Sequence, residues 1–433
     1  MNRNKKIYSW KNKKIKVFYG WWIVFTIFIC LFLEYGLRYS FNVFFKSLLE
    51  EFGNNRSEIS LIFSLHMAVY GVSSFFWGWL SDRLNVRVII SLGCAMAGGS
   101  AILMYFCSSL WQIFLLFSIF AALGTGAIYV PGISTIGKFF KKKRGLVMGI
   151  TSAAIGFSYI WSPISERVIY FYGWRTAYLI IGILLLNIAA PLSWRLIRSS
   201  PEELGLSPDG EEKNIANEEK LIMNKNLLSA KKNYSMFSDL KSAPIWILNL
   251  IYILAILGVY MVNTHIVMYA RDMGVNFTRA ASIPAFLGIF SVIGRITIGR
   301  FSDKKGRGMA LYLSFIFQIV GLFLLTLGKF TSLLYLGTFI LGIGYGGWVP
   351  QIPSCIGDIY CSDNMGGLVG VNTLFGTAFG ATLGPWLAGY IYDVTGRYTL
   401  AFILGVLFSF IALFFSFFLF KLRSLRKHFK MQY

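Results

Sequence analysis

The chain has 433 residues, of which 56% are hydrophobic and only 14% are charged, and its formal net charge at pH 7 is +22. The apolar residues occur in blocks of about 20, the helix length that crosses a bilayer core of roughly 30 Å. This composition excludes a water-soluble globular protein. It predicts an all-α integral membrane protein, because a backbone surrounded by lipid must satisfy its hydrogen bonds within each helix.

Twelve apolar blocks predict twelve transmembrane helices, which we number spans one to twelve. The first six are expected at residues 19–45, 59–80, 88–107, 110–137, 145–171 and 176–194. The second six are expected at residues 244–270, 280–300, 309–327, 332–357, 366–391 and 398–420. The predicted order is therefore a basic tail (1–18), a six-helix bundle (19–194), a polar linker (195–243), a second six-helix bundle (244–420) and a second basic tail (421–433).

Basic residues are concentrated in three places. The tail before span one contains seven of them and no acid, and the loop after span four and the segment after span twelve contain five each. By the positive-inside rule, this placement predicts a multi-pass protein of the plasma membrane or bacterial inner membrane, with the linker and both termini in the cytoplasm. Anionic lipid is the expected partner of these segments, and nucleic acid is not.

The two halves of the chain are similar in sequence. The segment "GWLSDRLNVR" at residues 78–87 reappears as "GRFSDKKGR" at residues 299–307, so that Asp82 and Asp303 lie 221 residues apart. A nearly constant offset indicates a duplicated six-helix unit, and parallel repeats of this kind place a substrate site between the halves. Offsets of 220 to 223 residues also relate Gly124 and Gly126 to Gly344 and Gly346, Gly149 to Gly370, Pro163 to Pro385, and Gly182 to Gly405.

The duplicated loop, Gly-x-x-x-Asp-Arg with a following basic residue, resembles the signature loop of the major facilitator superfamily, and the resemblance covers essentially the whole chain. Within that family the chain resembles the monocarboxylate transporters and the neighbouring oxalate/formate-type antiporters. Asn85 stands where the first loop usually has glycine, and the turn is still expected because asparagine tolerates a left-handed backbone. The segments that carry the narrower resemblance are "YGWW", "RYSFNVFF", "FFKKKRGLVMGI", "YGWRTAYL", "SPEELGLSPDG", "HIVMYARDMGV" and Arg295-x-x-x-Gly299.

The charged residues of the two signature loops are candidates for a conformational latch. Acids at helix ends can pair with nearby basic residues or with the dipole of a neighbouring helix. The resemblance implies that this cluster holds one conformation closed and opens in the other, whereas the alternative is a pair of short loops that only set the topology. The set comprises Asp82, Arg83, Arg87, Asp303, Lys304 and Arg307.

Span eight contains two arginines with different access to water. Arg300 lies close to the loop, whereas Arg295 lies eight residues before Asp303, about 12 Å away at the helical rise. An ionisable residue inside a span costs about 2.5 to 3.5 kcal/mol and tends to face a cavity or a partner. A guanidinium can bind a carboxylate through two parallel hydrogen bonds. The resemblance implies that Arg295 binds the carboxylate of a substrate, and the alternative is a structural arginine paired with an acid or helix carbonyls.

A proton-carrying group has three candidates. Many animal monocarboxylate transporters have an acid one turn before this arginine, where this chain has Ser291, so the acid is expected elsewhere. Asp272 lies at the outer end of span seven, His66 lies midway along span two and titrates in a useful range, and Glu34 lies in span one. Each also has a structural alternative. Asp272 could pair with the neighbouring Arg271, His66 could be a core histidine, and Glu34 could form a neutral pair with Arg38 four residues later.

Further substrate contacts are expected from the first span and from two tyrosines. Tyr129 and Tyr345 occupy similar places in the two halves, where two phenolic donors facing a central cavity would suit a carboxylate; two packed tyrosines are the alternative. Tyr39 lies in the stretch where animal monocarboxylate transporters resemble this chain but have a lysine, and the basic residue here is Arg38. The candidate substrate-binding set is therefore Arg295, His66, Tyr39, Tyr129, Tyr345 and Arg38.

These features predict a secondary active transporter, active as a monomer, that moves a small monocarboxylate such as lactate or pyruvate with a proton by alternating access. No Walker loop, HExxH, GxSxG or catalytic carboxylate pair occurs, so an enzyme, a cofactor and a metal site are not expected. Two alternatives stay open. One is an organic anion exchanger of the oxalate/formate type, although residues 366–392 lack its second cation. The other is a transporter-like sensor that signals through residues 195–241.

Overall fold

The computed structural model describes residues 18–52, 56–210, 236–328, 330–360 and 364–421. Apart from residues 18 and 421, the predicted basic tails lie outside the described residues, as does the centre of the linker. All regular structure in these ranges is helical, which confirms the predicted all-α fold. The first half contains helices Gly20–Tyr39, Phe41–Phe52, Arg56–Ser81, Val86–Leu103, Leu110–Ile113, Ala122–Phe139, Arg144–Phe157, Trp161–Leu184 and Ala190–Leu196. The second half contains Ala243–Asp272, Phe277–Lys305, Arg307–Thr326, Thr331–Trp348, Gln351–Ile359, Met365–Phe375, Thr382–Thr395 and Thr399–Lys421.

Ten helical stretches in the described part of the chain are long and apolar enough to cross a membrane. One of them, Arg144–Leu196, has 53 residues and comprises both span five and span six. Gly173 adopts φ 80° and interrupts the helical backbone between the two spans. Span eleven is helical from Met365 to Thr395 but is not among the ten. Seven glycines between residues 366 and 389 lower its hydropathy. All twelve predicted spans are therefore helical.

The two halves meet along two helix pairs that the duplication relates. Span two packs against span eleven, and span eight packs against span five. The backbones approach closely: a Cβ added to Gly78 would lie 2.4 Å from the carbonyl oxygen of Gly366, and one added to Gly149 would lie 2.1 Å from the carbonyl oxygen of Arg295. Only glycine permits such contacts, which are typical of packed membrane helices. This packing holds the backbone of Arg295 against the other half of the protein.

The described parts of the linker pack against one end of both bundles, which we call the linker end. The carboxylate of Asp209 accepts hydrogen bonds of 2.9 Å from the backbone N–H groups of Lys141 and Lys142, in the loop after span four. Beyond the undescribed segment, Asp239 accepts a 2.8 Å hydrogen bond from the Asn364 side chain at the start of span eleven. The linker is thus attached to the first half at its start and to the second half at its end.

The turn of the first signature loop does not use the left-handed backbone that was expected at Asn85. Asn85 has φ −67° and ψ 112°, an extended rather than a left-handed conformation, and its side chain accepts a 3.1 Å hydrogen bond from the N–H of Arg87. The equivalent loop of the second half uses Gly306 at φ 95°. The expectation of a left-handed Asn85 was therefore wrong, because asparagine begins the next helix as an N-cap and no left-handed residue is needed.

The close contact at Gly149 can be tested by one methyl group. We expect Gly149→Ala to lower the free energy of unfolding by about 1–3 kcal/mol, the usual cost of overpacking, because its Cβ meets the Arg295 carbonyl. Gly99→Ala is the matched control, since a Cβ there has no heavy atom within 4 Å. Thermal unfolding of both variants in detergent would measure the difference, and an unchanged midpoint for Gly149→Ala would contradict the contact.

Candidate functional site

A cavity of about 690 Å³ lies between the two bundles. It runs from Tyr252 and Trp348 towards Phe45 and Pro385, which lie nearer the end opposite the linker. Arg38 is the one charged side chain among the described residues that line it. Its most frequent lining residue is tyrosine, at positions 35, 39, 70, 129, 159, 252, 260 and 345.

Four of the six candidate substrate-binding residues line this cavity. Tyr129 and Tyr345, predicted to occupy similar places in the two halves, both lie on its wall, together with Arg38 and Tyr39. Tyr39 stacks on Tyr159 with ring centroids 4.4 Å apart. The structure therefore brings residues of spans one, four, five and ten together around one space.

Arg295 lies behind this wall and is fully buried. Its Nη1 donates a 2.6 Å hydrogen bond to the carbonyl oxygen of Ser152 in span five, and its guanidinium lies 5.5 Å from the centre of the Tyr345 ring. Its Nε has no hydrogen-bond partner. None of the ion pairs within the described ranges involves Arg295, so its charge is left without an acidic counterpart next to the cavity.

Glu34 and Arg38 form a buried ion pair one helical turn apart, as their spacing predicts. The Arg38 guanidinium also lies over the rings of Tyr35 and Tyr70, at 4.6 and 3.9 Å. The second carboxylate oxygen of Glu34 and the Nε of Arg38 have no hydrogen-bond partner. Arg38 therefore faces the cavity with an acid directly behind it, and both groups can accept a new partner.

The two other candidates for the proton-carrying group lie outside the cavity wall. His66 is buried between the rings of Phe63 and Phe117, and its Nδ1 donates a 2.9 Å hydrogen bond to the Phe117 carbonyl oxygen. Its Nε2 has no partner. Asp272 is the last residue of the span seven helix and is exposed. Of the three candidates, Glu34 alone forms an ion pair, among the described residues, with a residue that lines the cavity.

Two aspartates join the halves at the linker end. Asp82 accepts hydrogen bonds of 3.0 and 2.8 Å from the N–H groups of Gly366 and Gly367, at the start of span eleven. Asp303 accepts hydrogen bonds of 2.8 and 2.7 Å from the N–H groups of Gly145 and Leu146, at the start of span five. Each carboxylate thus caps the positive N-terminal end of a helix in the other half. These two related contacts close the linker end.

Two further residues of this cluster, Asp358 and Arg144, were not predicted from the sequence as members of the latch. Asp358, at the end of span ten, forms an ion pair with Arg144 and accepts a 2.7 Å hydrogen bond from the Nε of Arg307. Arg307 also donates a 2.7 Å hydrogen bond to Asp303. Because Arg144 belongs to the first half, the Arg144–Asp358 pair crosses the interface. The available signal was Asp358 itself, a lone acid in the otherwise uncharged segment "CIGDIY".

The remaining members of the predicted latch make other contacts. Arg83 lies 3.7 Å above the Trp79 ring and Arg87 lies 4.9 Å above the Trp194 ring, both within the first half. Lys304 is exposed. The charged contacts between halves at this end therefore involve Asp82, Asp303, Asp358 and Arg144, with Arg307 holding two of the acids.

Comparison with known proteins adds to these observations. A family model described as Major Facilitator Superfamily matches residues 27–381. Monocarboxylate transporter 12 of Mus musculus is 26% identical over 408 residues, which cover 89% of this chain and 82% of that protein. Monocarboxylate transporter 4 of Gallus gallus is 26% identical over 393 residues, which cover 89% of this chain and 80% of that protein.

Two solved structures have a similar fold. The proton:xylose symporter XylE matches with a TM-score of 0.76 at 14% identity, covering 92% of this chain and 95% of its own. The human organic anion transporter MFSD10 matches with a TM-score of 0.72 at 13% identity, covering 92% and 99%. The predicted fold of twelve helices in two six-helix bundles is confirmed, and the protein is a multi-pass membrane protein.

The contact made by Asp82 depends on pH. Burial raises the pKa of its carboxyl from the ordinary 3.8 to about 6, and Lys138, whose Nζ lies 3.6 Å away, and the two glycine N–H groups oppose this rise. A carboxyl whose pKa is higher in the closed form holds its proton more tightly there than in an open form exposed to water. We therefore expect acidification from about pH 6 to pH 4 to favour the closed linker end over an open form.

Asp82→Asn imitates the protonated carboxyl. We expect it to increase the closed fraction at pH 7.5 and to remove the dependence of that fraction on pH between 4 and 7. Electron spin resonance distances between labels on Lys141 and Lys305, exposed residues of opposite halves, would report the closed fraction. Asp393→Asn, at an exposed site near the opposite end, is the control. If acidification lowers the closed fraction of the unsubstituted protein, the expected direction of the pH effect is wrong.

Proposed function

Because the chain belongs to the major facilitator superfamily, we propose that it is a secondary active transporter that moves a monocarboxylate together with a proton by alternating access. The observation that carries this proposal is the buried charge of Arg295, which has no acidic counterpart in the described residues and lies directly behind the cavity wall. Relatives named monocarboxylate transporters support the class of substrate. Lactate and pyruvate are small members of this class.

The buried charges beside the cavity are compatible with the joint binding of one proton and one monoanion. Beside the cavity lie two guanidinium groups, those of Arg295 and Arg38, and one protonatable acid, Glu34. When one proton and one monoanion bind, the cavity has the same net charge as when it is empty. Residues 366–392 contain no lysine or arginine, whereas an exchanger of the oxalate/formate type is expected to have a second cation there. This absence argues against exchange of dianions of the oxalate type.

The two arginines have complementary roles in this proposal. Protonation of Glu34 cancels its charge and releases Arg38, whose guanidinium then binds the carboxylate of the substrate. Arg295, in the other bundle, attracts the same carboxylate, and the Tyr345 hydroxyl can donate a hydrogen bond to it. Loss of the proton returns Arg38 to Glu34 and weakens the hold on the anion. The substrate is thereby coupled to the proton and bound between both halves.

Alternating access is supported by the duplicated contacts at the linker end. Asp82 and Asp303 hold that end closed while the cavity extends towards the opposite end. Opening of these contacts would expose the cavity to the linker side. The placement of basic residues favours a cytoplasmic linker and cytoplasmic termini. In this proposal the linker side therefore faces the cytoplasm. Since the cavity lies within one chain, we propose that the transporter is active as a monomer.

The role of Arg295 can be tested in proteoliposomes. With an inward proton gradient, the unsubstituted protein is expected to accumulate labelled pyruvate and Arg295→Ala to lose this uptake. Arg295→Lys keeps the charge but loses the planar fork, so we expect its half-saturating concentration to rise roughly 10- to 100-fold, because a hydrogen bond to a charged group contributes about 1.5–3 kcal/mol.

Arg300→Ala is the matched control, an exposed arginine five residues further along the same helix. Equal losses for Arg295→Ala and Arg300→Ala would remove the carboxylate-binding role. Pyruvate binding without any uptake would instead favour the sensor.

Glu34→Gln tests the site of the proton. The amide imitates the protonated acid, so we expect exchange of labelled for unlabelled pyruvate to continue while the proton gradient no longer drives accumulation. Asp272→Asn, at the exposed end of span seven, should keep accumulation. Measuring both processes in His66→Asn completes the set. If accumulation survives in Glu34→Gln but is lost in Asp272→Asn or His66→Asn, the proton-carrying role would be assigned to Asp272 or His66 instead of Glu34.

A further inference from the structure

The cavity is larger than a three-carbon acid requires. Its volume of about 690 Å³ lies within the range of roughly 300–1,000 Å³ occupied by sites for drug-sized ligands. Pyruvate or lactate has only a handful of non-hydrogen atoms and would leave most of this space to water. A site of this size has room for a substrate with a bulky group next to its carboxylate.

The walls of the cavity are aromatic. Beside its eight tyrosines, Trp348 and three phenylalanines line it. Several rings already pack against each other: Tyr252 and Tyr345 each meet Trp348 edge to face, with centroids 5.7 and 5.6 Å apart. Such edge-to-face and offset-stacked arrangements are the ones that aromatic rings prefer. A planar ring entering this space would find the same kind of partner on several sides.

Several of these aromatic residues lie close to Arg295, the proposed partner of the substrate's carboxylate. Arg295 lies 5.5 Å from the Tyr345 ring centre, and Tyr39 and Tyr159, which line the same cavity, stack on each other. Tyr260, on span seven, lines the same cavity and has no ring partner among the residues that the structure describes. An anion held near Arg295 would therefore have its remaining atoms among the tyrosines of the cavity wall, which include Tyr260.

We propose that the substrate is a monocarboxylate with a planar aromatic ring, such as an arylpyruvate, and that the tyrosine-lined cavity selects it over three-carbon acids and over saturated rings of equal size. This inference rests on the proposed function, which supplies the carboxylate end, and it adds the chemistry of the other end.

A cationic group is the other ligand that aromatic walls attract, and the charges of this site disfavour it. Quaternary ammonium groups bind over the faces of aromatic rings. Here the faces of Tyr35 and Tyr70 already lie against the Arg38 guanidinium, and that of Tyr345 lies against Arg295. A third cation would meet two buried positive charges. An uncharged ring avoids this repulsion.

The test compares four compounds in proteoliposomes with an inward proton gradient: phenylpyruvate, cyclohexylpyruvate, pyruvate and glycine betaine. Uptake into protein-free liposomes is subtracted, because protonated acids also cross lipid. We expect the half-saturating concentration of phenylpyruvate to be at least tenfold below that of pyruvate and several-fold below that of cyclohexylpyruvate. Equal values for the two ring compounds, or a lower value for glycine betaine, would overturn the inference.

The failure of this inference can be distinguished from that of the proposed function. If pyruvate accumulates with the gradient but phenylpyruvate has no advantage, only the aromatic preference is wrong. If none of the carboxylates accumulates, the proposed function fails.

A pair of variants assigns the preference to a residue. Tyr260→Leu removes a ring from the wall, and we expect the tenfold preference for phenylpyruvate over pyruvate to fall towards one. Tyr260→Phe keeps the ring and is the matched control, in which the preference should remain. A preference that persists in Tyr260→Leu while both variants fold, as judged by thermal unfolding, would exclude stacking on this ring.

Discussion

A full positive charge inside a helix bundle requires compensation, and Arg295 obtains only part of it. The Ser152 carbonyl and the Tyr345 ring are the groups that the structure places against its guanidinium. A carbonyl dipole and the face of a ring offset less of the desolvation cost than a carboxylate would. In the proposed function, an anion that enters the adjoining cavity would supply the compensation that the carbonyl and the ring do not. The proposed affinity for carboxylates depends on this incomplete compensation.

This compensation also depends on the relative position of the two halves. The carbonyl that accepts from Arg295 belongs to span five, whereas Arg295 belongs to span eight, and Gly149 allows these two helices to touch. A movement that separates spans five and eight would remove the hydrogen bond from the arginine. In the proposed mechanism a bound carboxylate would replace this hydrogen bond, so that binding of the substrate and movement of the halves would be linked at one side chain.

The duplication produced two related contacts at the linker end that are not identical. Each uses an aspartate on the N-terminus of a helix in the other half, which follows from the offset of 221 residues between Asp82 and Asp303. The surroundings differ, because Lys138 lies beside Asp82 whereas Arg307 and Asp358 lie beside Asp303. The two contacts therefore differ in their electrostatics, although the backbone geometry is shared.

The sequence by itself determined the helical spans, the duplication, the Glu34–Arg38 pair and the two aspartates of the signature loops, because these depend on local hydropathy, helical spacing and internal repetition. The tertiary structure decided which ionisable residues share the cavity. It put Arg38 on the wall, Arg295 behind Tyr345 and Asp272 at an exposed helix end, and it brought Asp358 to Arg144. The reason is that successive side chains of a helix point about 100° apart. The rotation of each helix about its axis, which its neighbours set, thus determines whether a charge faces the cavity, another helix or lipid.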